Sequence, residues 1–236
     1  MIAIIVSLIL LILALLTVSR INAIQKQRRR KRLKMRRLQR EADNLDEVIR
    51  GLEETIPNRV IIRYINDELV DVLEEMAGLS DETNIGVRMA LDQARQKTES
   101  LIEADTPLYA NYRKDNDADI ARAHYHLGET AHILKKRCAL GKLPEEELRI
   151  YLAELTWGDL LIEVQSLIAQ GYKARLRGNL PGTFAYYQTA QNKLMESTHP
   201  NPKRLKMIRE MGELLMGSQE KPGTDLTGEN FIPPGS

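Results

Sequence analysis

MIAIIVSLILLILALLTVSRINAIQKQRRRKRLKMRRLQR, residues 1–40, joins an uncharged apolar run from Met1 to Val18 to a densely basic run from Lys26 to Arg40. Inside the first run the only polar side chains are Ser7 and Thr17, hydroxyls that can bond back to the carbonyls of a helix. A helix of about 18 to 20 residues rises roughly 27 to 30 Å, one hydrocarbon thickness. Arg20 sits where its head group can snorkel to the edge, and Ile21 and Ile24 lengthen the apolar face. Residues 1–24 are therefore expected to form a single transmembrane helix. A cleaved secretory signal would need basic residues before the apolar run and small residues at a cleavage site after it. Neither is found before Ile2 or in Ser19-Arg20-Ile21-Asn22-Ala23.

The basic run orients that helix. Residues 1–40 hold eleven Lys and Arg and no acid, so the positive-inside rule leaves the N-terminus outside and the bulk of the chain cytoplasmic. The expected location is a plasma membrane or a bacterial inner membrane. Lys26, Arg28, Arg29, Arg30, Lys31, Arg32, Lys34, Arg36, Arg37 and Arg40 are the expected contacts to lipid head groups. Each such charge near an anionic leaflet contributes on the order of 1 kcal/mol. Residues 41–236 then hold 23 basic against 33 acidic side chains, so the formal net charge of +1 conceals a basic collar on an acidic body. The same collar suggests a membrane-attached nucleic-acid-binding protein as an alternative. An acidic body that repels phosphate, and the lack of aromatics among the basic residues, weigh against that reading.

Beyond the collar the pattern is helical throughout, and the fold class is all-α. Met35, Leu38, Ala42, Leu45, Ile49, Leu52 and Ile56 recur at alternating spacings of three and four, a heptad seam on a juxtamembrane helix over 25–56. The seam admits two partners: a second copy, as a parallel coiled-coil homodimer, or the chain's own body. Pro57 ends the helix, and 57–216 reads as one all-helical domain. Its apolar stripes are Ile61, Ile65, Leu69, Val72, Leu73 and Met76, ending at Gly78; then Val87, Ala90, Ala94, Thr98, Leu101 and Ile102, to about Ala104. A helix from Asp117 to Leu140 follows on Ile120, His124, Leu127, Ala131, Leu134 and Cys138. The last, Asn201 to Met216, follows on Leu205, Ile208, Gly212 and Leu215. Trp157 either lies within a longer helix or follows a break capped by Thr156. Residues 217–236, rich in Gly, Pro, Ser and Thr, read as a disordered tail, with Phe231-Ile232-Pro233-Pro234 a short docking pattern near its end.

Chemistry-bearing motifs are scarce. One cysteine, Cys138, excludes an intramolecular disulfide framework. Asp115, Asp117 and Asp119 imitate a calcium loop, but its sixth and twelfth positions hold Ile120 and His126 instead of Gly and Glu. His124 and His132 stand about 12 Å apart along a helix, too far to share an ion. No catalytic residue, metal site or cofactor is expected, and no enzyme. The one enzymatic alternative is a site assembled in a helical groove from distant residues.

Two turns echo each other, Gly141-Lys142-Leu143-Pro144 and Gly178-Asn179-Leu180-Pro181, each with Gly to close one helix and Pro to open the next. Around the second, Gly171, Gly178, Asn179, Tyr187 and Ala190 resemble a tetratricopeptide repeat, while Ala174 and Thr183 depart from its pattern. The resemblance implies helical hairpins in a bundle or short solenoid, with a protein-binding surface. The function expected is thus a membrane-anchored helical scaffold or adaptor for another protein.

Overall fold

The computed structural model describes residues 2–79, 85–103, 109–219 and 221–227, with residues 2–19, 21, 23 and 24 described through their backbone. The chain is all-α, with no strand among the described residues. Its helices are α1 (Ile2–Thr55), α2 (Arg59–Leu79), α3 (Ile85–Glu103), α4 (Asp117–Ala139), α5 (Glu145–Leu176), α6 (Leu180–Glu196), α7 (Lys203–Leu215) and α8 (Thr224–Thr227).

Helix α1 runs unbroken for 54 residues, about 80 Å. It stops before Pro57, and Asn58 caps α2 by accepting the amides of Val60 and Ile61. The β-branched start of α2 stays helical because Ile61, Ile62, Ile65, Leu69, Val72, Leu73 and Met76 bury one face at helical spacing. Helix α2 is the hub of the first half and packs on α1, α3 and α4. In the second half α5 contacts α4, α6 and α8, and α7 packs on α6 and α8. Two apolar clusters result. One holds α1 to α4 with the first half of α5, and the other holds the rest of α5 with α6, α7 and α8. The ring of Tyr112 packs against both, and its burial pushes the phenol up to about 12.

The two echoing turns close as their residues predict. Gly141 and Gly178 hold φ of 71° and 73° in the left-handed region. Asn179 accepts the amide of Gly182, and Pro181 lies in the first turn of α6. At the α5–α6 crossing Gly171 faces the ring of Tyr187, which is fully buried beside Ala190 and Leu194.

Two helix faces differ from the sequence reading. Helix α4 buries Ala123, His126, Leu127, Thr130, Ile133, Leu134 and Arg137, a face rotated from the stripe through His124 and Cys138. It faces α1 and α2 together; there Arg137 pairs with Glu68 and Asp71 of α2, while Thr130 bonds back to the His126 carbonyl of its own helix. Of the two readings open for Trp157, the longer helix is the one found, since α5 passes it without a break and Thr156 bonds back to Leu152. Helix α7 buries Met207, Met211 and Leu214, leaving Leu205 exposed. The tail is also not structureless throughout: Leu226 is wholly buried in the second cluster. Phe231 to Pro234 lie outside the described residues.

Candidate docking groove and basic stalk

Residues 25–34 of α1 are exposed, and the first residue covered by the body is the half-buried Met35. Residues 25–33, a stalk of about 13 Å of helix, therefore precede the ion pair of Lys34 with Glu75. At 100° per residue its basic side chains point to every side, so it has no apolar stripe with which to lie flat on a surface. The ten basic residues divide. Lys26, Arg28, Arg29, Arg30, Lys31 and Arg32 belong to the stalk, whereas Lys34 reaches Glu75 of α2 at 2.6 Å. Arg36, Arg37 and Arg40 lie on the outer face of α1 at the level of the body. They are about 18 to 24 Å along the axis from residue 24, beyond a screening length of about 8 Å. Among the described residues no helix is long and apolar enough to cross a membrane. The anchor expected over residues 1–24 rests on side chains outside the described ones.

The heptad seam is covered from within. Leu38, Ala42, Leu45, Ile49, Leu52 and Ile56 are buried in the first cluster, with Met35 packed at its edge. The chain's own α2 and α4 pack on α1, so a second copy finds the seam occupied. The adjoining position Val48 is equally buried, because α1 meets two helices where a coiled coil would offer one.

Helices α1 and α3 flank α2 and leave a groove of about 390 Å³. Leu69, Leu73 and Asn66 of α2 form its floor, and Ala42, Ala90 and Ala94 keep its walls thin. Gln39, Asp43, Asp46, Gln93 and Lys97 supply its polar rim. Asn66 is fully buried. Its amide nitrogen donates to the Ala94 carbonyl at 2.7 Å and to Thr98 Oγ1 at 2.8 Å, and its Oδ1 has no hydrogen-bond partner. The groove thus joins an apolar floor to one buried acceptor. That acceptor is sealed from solvent, so the groove presents outward its apolar floor and its polar rim. The sequence showed Ala42, Ala90 and Ala94 as stripe positions; that they face one another across α2 is a tertiary fact. Helix α3 itself buries only Val87, Leu91 and Ala94 and exposes Ile85, Met89 and Ile102.

A smaller cavity of about 210 Å³ is lined by Gly51, Glu54, Thr55, Lys114, Asp119, Arg122, Ala123 and His126. Burial lowers both His126 and Lys114 from their usual ranges. The His126 ring lies where a side chain at position 51 would stand, which is why Gly51 has none. Opposite charges here are mixed, with Arg122 paired to Asp119 at 3.2 Å, so the cavity has no single ligand sign. On the α5 side of α4, His124 Nδ1 bonds to Asp159, a contact that raises its pKa. Among the described residues no three His, Cys, Asp or Glu are placed to hold a metal ion. Cys138 is half-buried at the edge of the first cluster.

No family model, curated protein or solved structure matches the chain.

Proposed function

We propose that the chain is a single-pass membrane-anchored adaptor. Its helical body stands on the cytoplasmic side and holds a partner protein in the α1–α3 groove. The observation that carries this reading is the continuity of α1, one helix from the apolar N-terminal stretch through the basic stalk into the core. A helix charged on all sides just below an apolar segment suits a perpendicular passage through an anionic head-group layer. The groove supports the adaptor half of the reading, since it is open and joins an apolar floor of Leu69 and Leu73 to a polar rim. The repeat-like α5–α6 hairpin agrees with a protein-binding role.

The full chain reconstituted into anionic liposomes tests the membrane half. It should stay with the lipid through carbonate washing. A fluorophore at position 29 should be quenched by head-group-labelled lipid, and one at position 37 should not. Recovery of the chain in the carbonate supernatant would refute the anchor. A photo-crosslinker at Gln93 tests the other half. It should give a defined adduct in native membranes that the groove-filling Ala90→Phe variant loses; an adduct indifferent to that variant would remove the groove from the proposal.

A further inference from the structure

The last described turn of the chain packs on α5 and α7. Helix α8 is four residues long, too short to hold helical form without help. Pro222 and Leu226, four apart, are buried, while Lys221, Thr224 and Asp225 are exposed. Leu226 joins the cluster of Leu161, Val164 and Ile168 from α5 with Met207 and Met211 from α7, and α8 touches both helices. Between those two side chains the backbone amide of Gly223 donates to the carboxylate of Glu210 on α7. A Cβ at position 223 would stand against that carboxylate, so a larger residue there requires the end of the Glu210 side chain to move aside.

The helices beneath are joined without this segment. Helix α6 packs on both α5 and α7, as α2 packs on both α1 and α3. In the first triplet the space between the flanking helices is open, and in the second the chain's own end lies against both of them.

We propose that the cleft between α5 and α7 is a docking site for a short Pro-Gly-x-x-Leu segment of a partner protein, occupied in cis by residues 222–226. Proline and leucine fill the apolar cleft, the glycine amide meets Glu210, and the two intervening residues face solvent and are not selected. The strap seated in the cleft is what defines this chemistry. Being tethered, it competes at an effective concentration of the order of millimolar, so a partner segment enters when the strap lifts.

The test uses the full chain in mild detergent, with a fluorescent peptide of the sequence of residues 219–227 as probe. Leu226→Asp, which cannot seat its own strap, should bind the probe at least tenfold more tightly than the parent chain. A probe with Asp at its leucine position should bind neither. Adding Glu210→Ala to the variant should weaken binding about tenfold. In the parent, the strap amides should exchange hydrogen at least a hundredfold faster than those of α7. The proposal is overturned if Leu226→Asp keeps its helical content yet ignores the probe. Loss of cooperative melting in that variant, or strap exchange only together with α5 and α7, overturns it too, since either makes the strap part of the core. A concentration-dependent dimer of the parent that Leu226→Asp cannot form would assign the cleft to a second copy, again against the proposal.

Discussion

Arg137 places its guanidinium between Glu68 at 3.0 Å and Asp71 at 2.9 Å, with 7% of its side chain and 7% of that of Glu68 exposed. Breaking such a pair from one side strands a buried charge and costs about 3 to 5 kcal/mol. Arg137→Met should fall at the lower end, near ~3 kcal/mol by urea titration, because Lys136 still reaches Glu68 at 2.6 Å. Adding Glu68→Leu should recover most of that loss; a double variant as unstable as the single one would contradict the account. Two histidines of α4, His124 and His126, pull in opposite directions with pH. The hydrogen bond to Asp159 raises His124, so its stabilisation is complete below its usual value of 6.5 and fades as pH rises through the folded value. Burial lowers His126, so its contribution is complete above 6.5 and is lost as pH falls through the folded value. His124→Gln should therefore lose more of its urea midpoint, relative to the parent, at acidic than at alkaline pH. A loss equal at both would show that the Asp159 contact does not titrate. None of Arg137, Glu68, Asn66 or His126 was legible as buried in the sequence. Their burial depends on partners such as Glu68 and Arg137, 69 residues apart, and a polar side chain beside an apolar stripe reads locally as solvated.

At the level of elements, helix existence and helix ends were legible because their causes are local: Pro57 after α1, and Gly141 and Gly178 in the left-handed region. The buried faces of α4 and α7 were not. A face is chosen by what lies opposite, and α4 sits against α1, α2 and α5 while α7 sits against α6 and α8. The strap was hidden for a related reason, since two apolar residues among polar ones carry no periodic signal. The stalk makes a direct prediction. Arg30→Pro removes a helical hydrogen bond and kinks the rod, yet residues 25–34 make no part of the apolar core. Its melting temperature should shift by less than about 2 °C, whereas Ile49→Pro, in a turn buried by α2 and α4, should abolish the cooperative melt. Spin labels at positions 22 and 50 should read about 42 Å along the intact helix and a shorter, broader distribution in Arg30→Pro. In the second half, Gly171→Ala pushes a methyl into the ring of Tyr187. It should destabilise the α5–α6 hairpin by about 1 to 3 kcal/mol in chemical denaturation.

Over the whole molecule charge is divided between a cationic stem and an acidic body, a division that composition alone conceals. In anionic bilayers the triple change Arg28, Arg29 and Arg30 to Gln should markedly reduce enrichment of fluorescent phosphatidylserine around the protein. The same change at Arg36, Arg37 and Arg40 should leave enrichment nearly intact; equal losses would place all six at the lipid surface. One consequence of the unbroken α1 concerns bearing. A shaft without a swivel transmits rotation, so a single residue inserted after Gln27 would turn the body by about 100° while lifting it only ~1.5 Å. Seven residues would raise it about 10 Å and return it to within roughly 20° of its original heading. The compass direction in which both clefts open is thus geared, residue by residue, to the length of the stem.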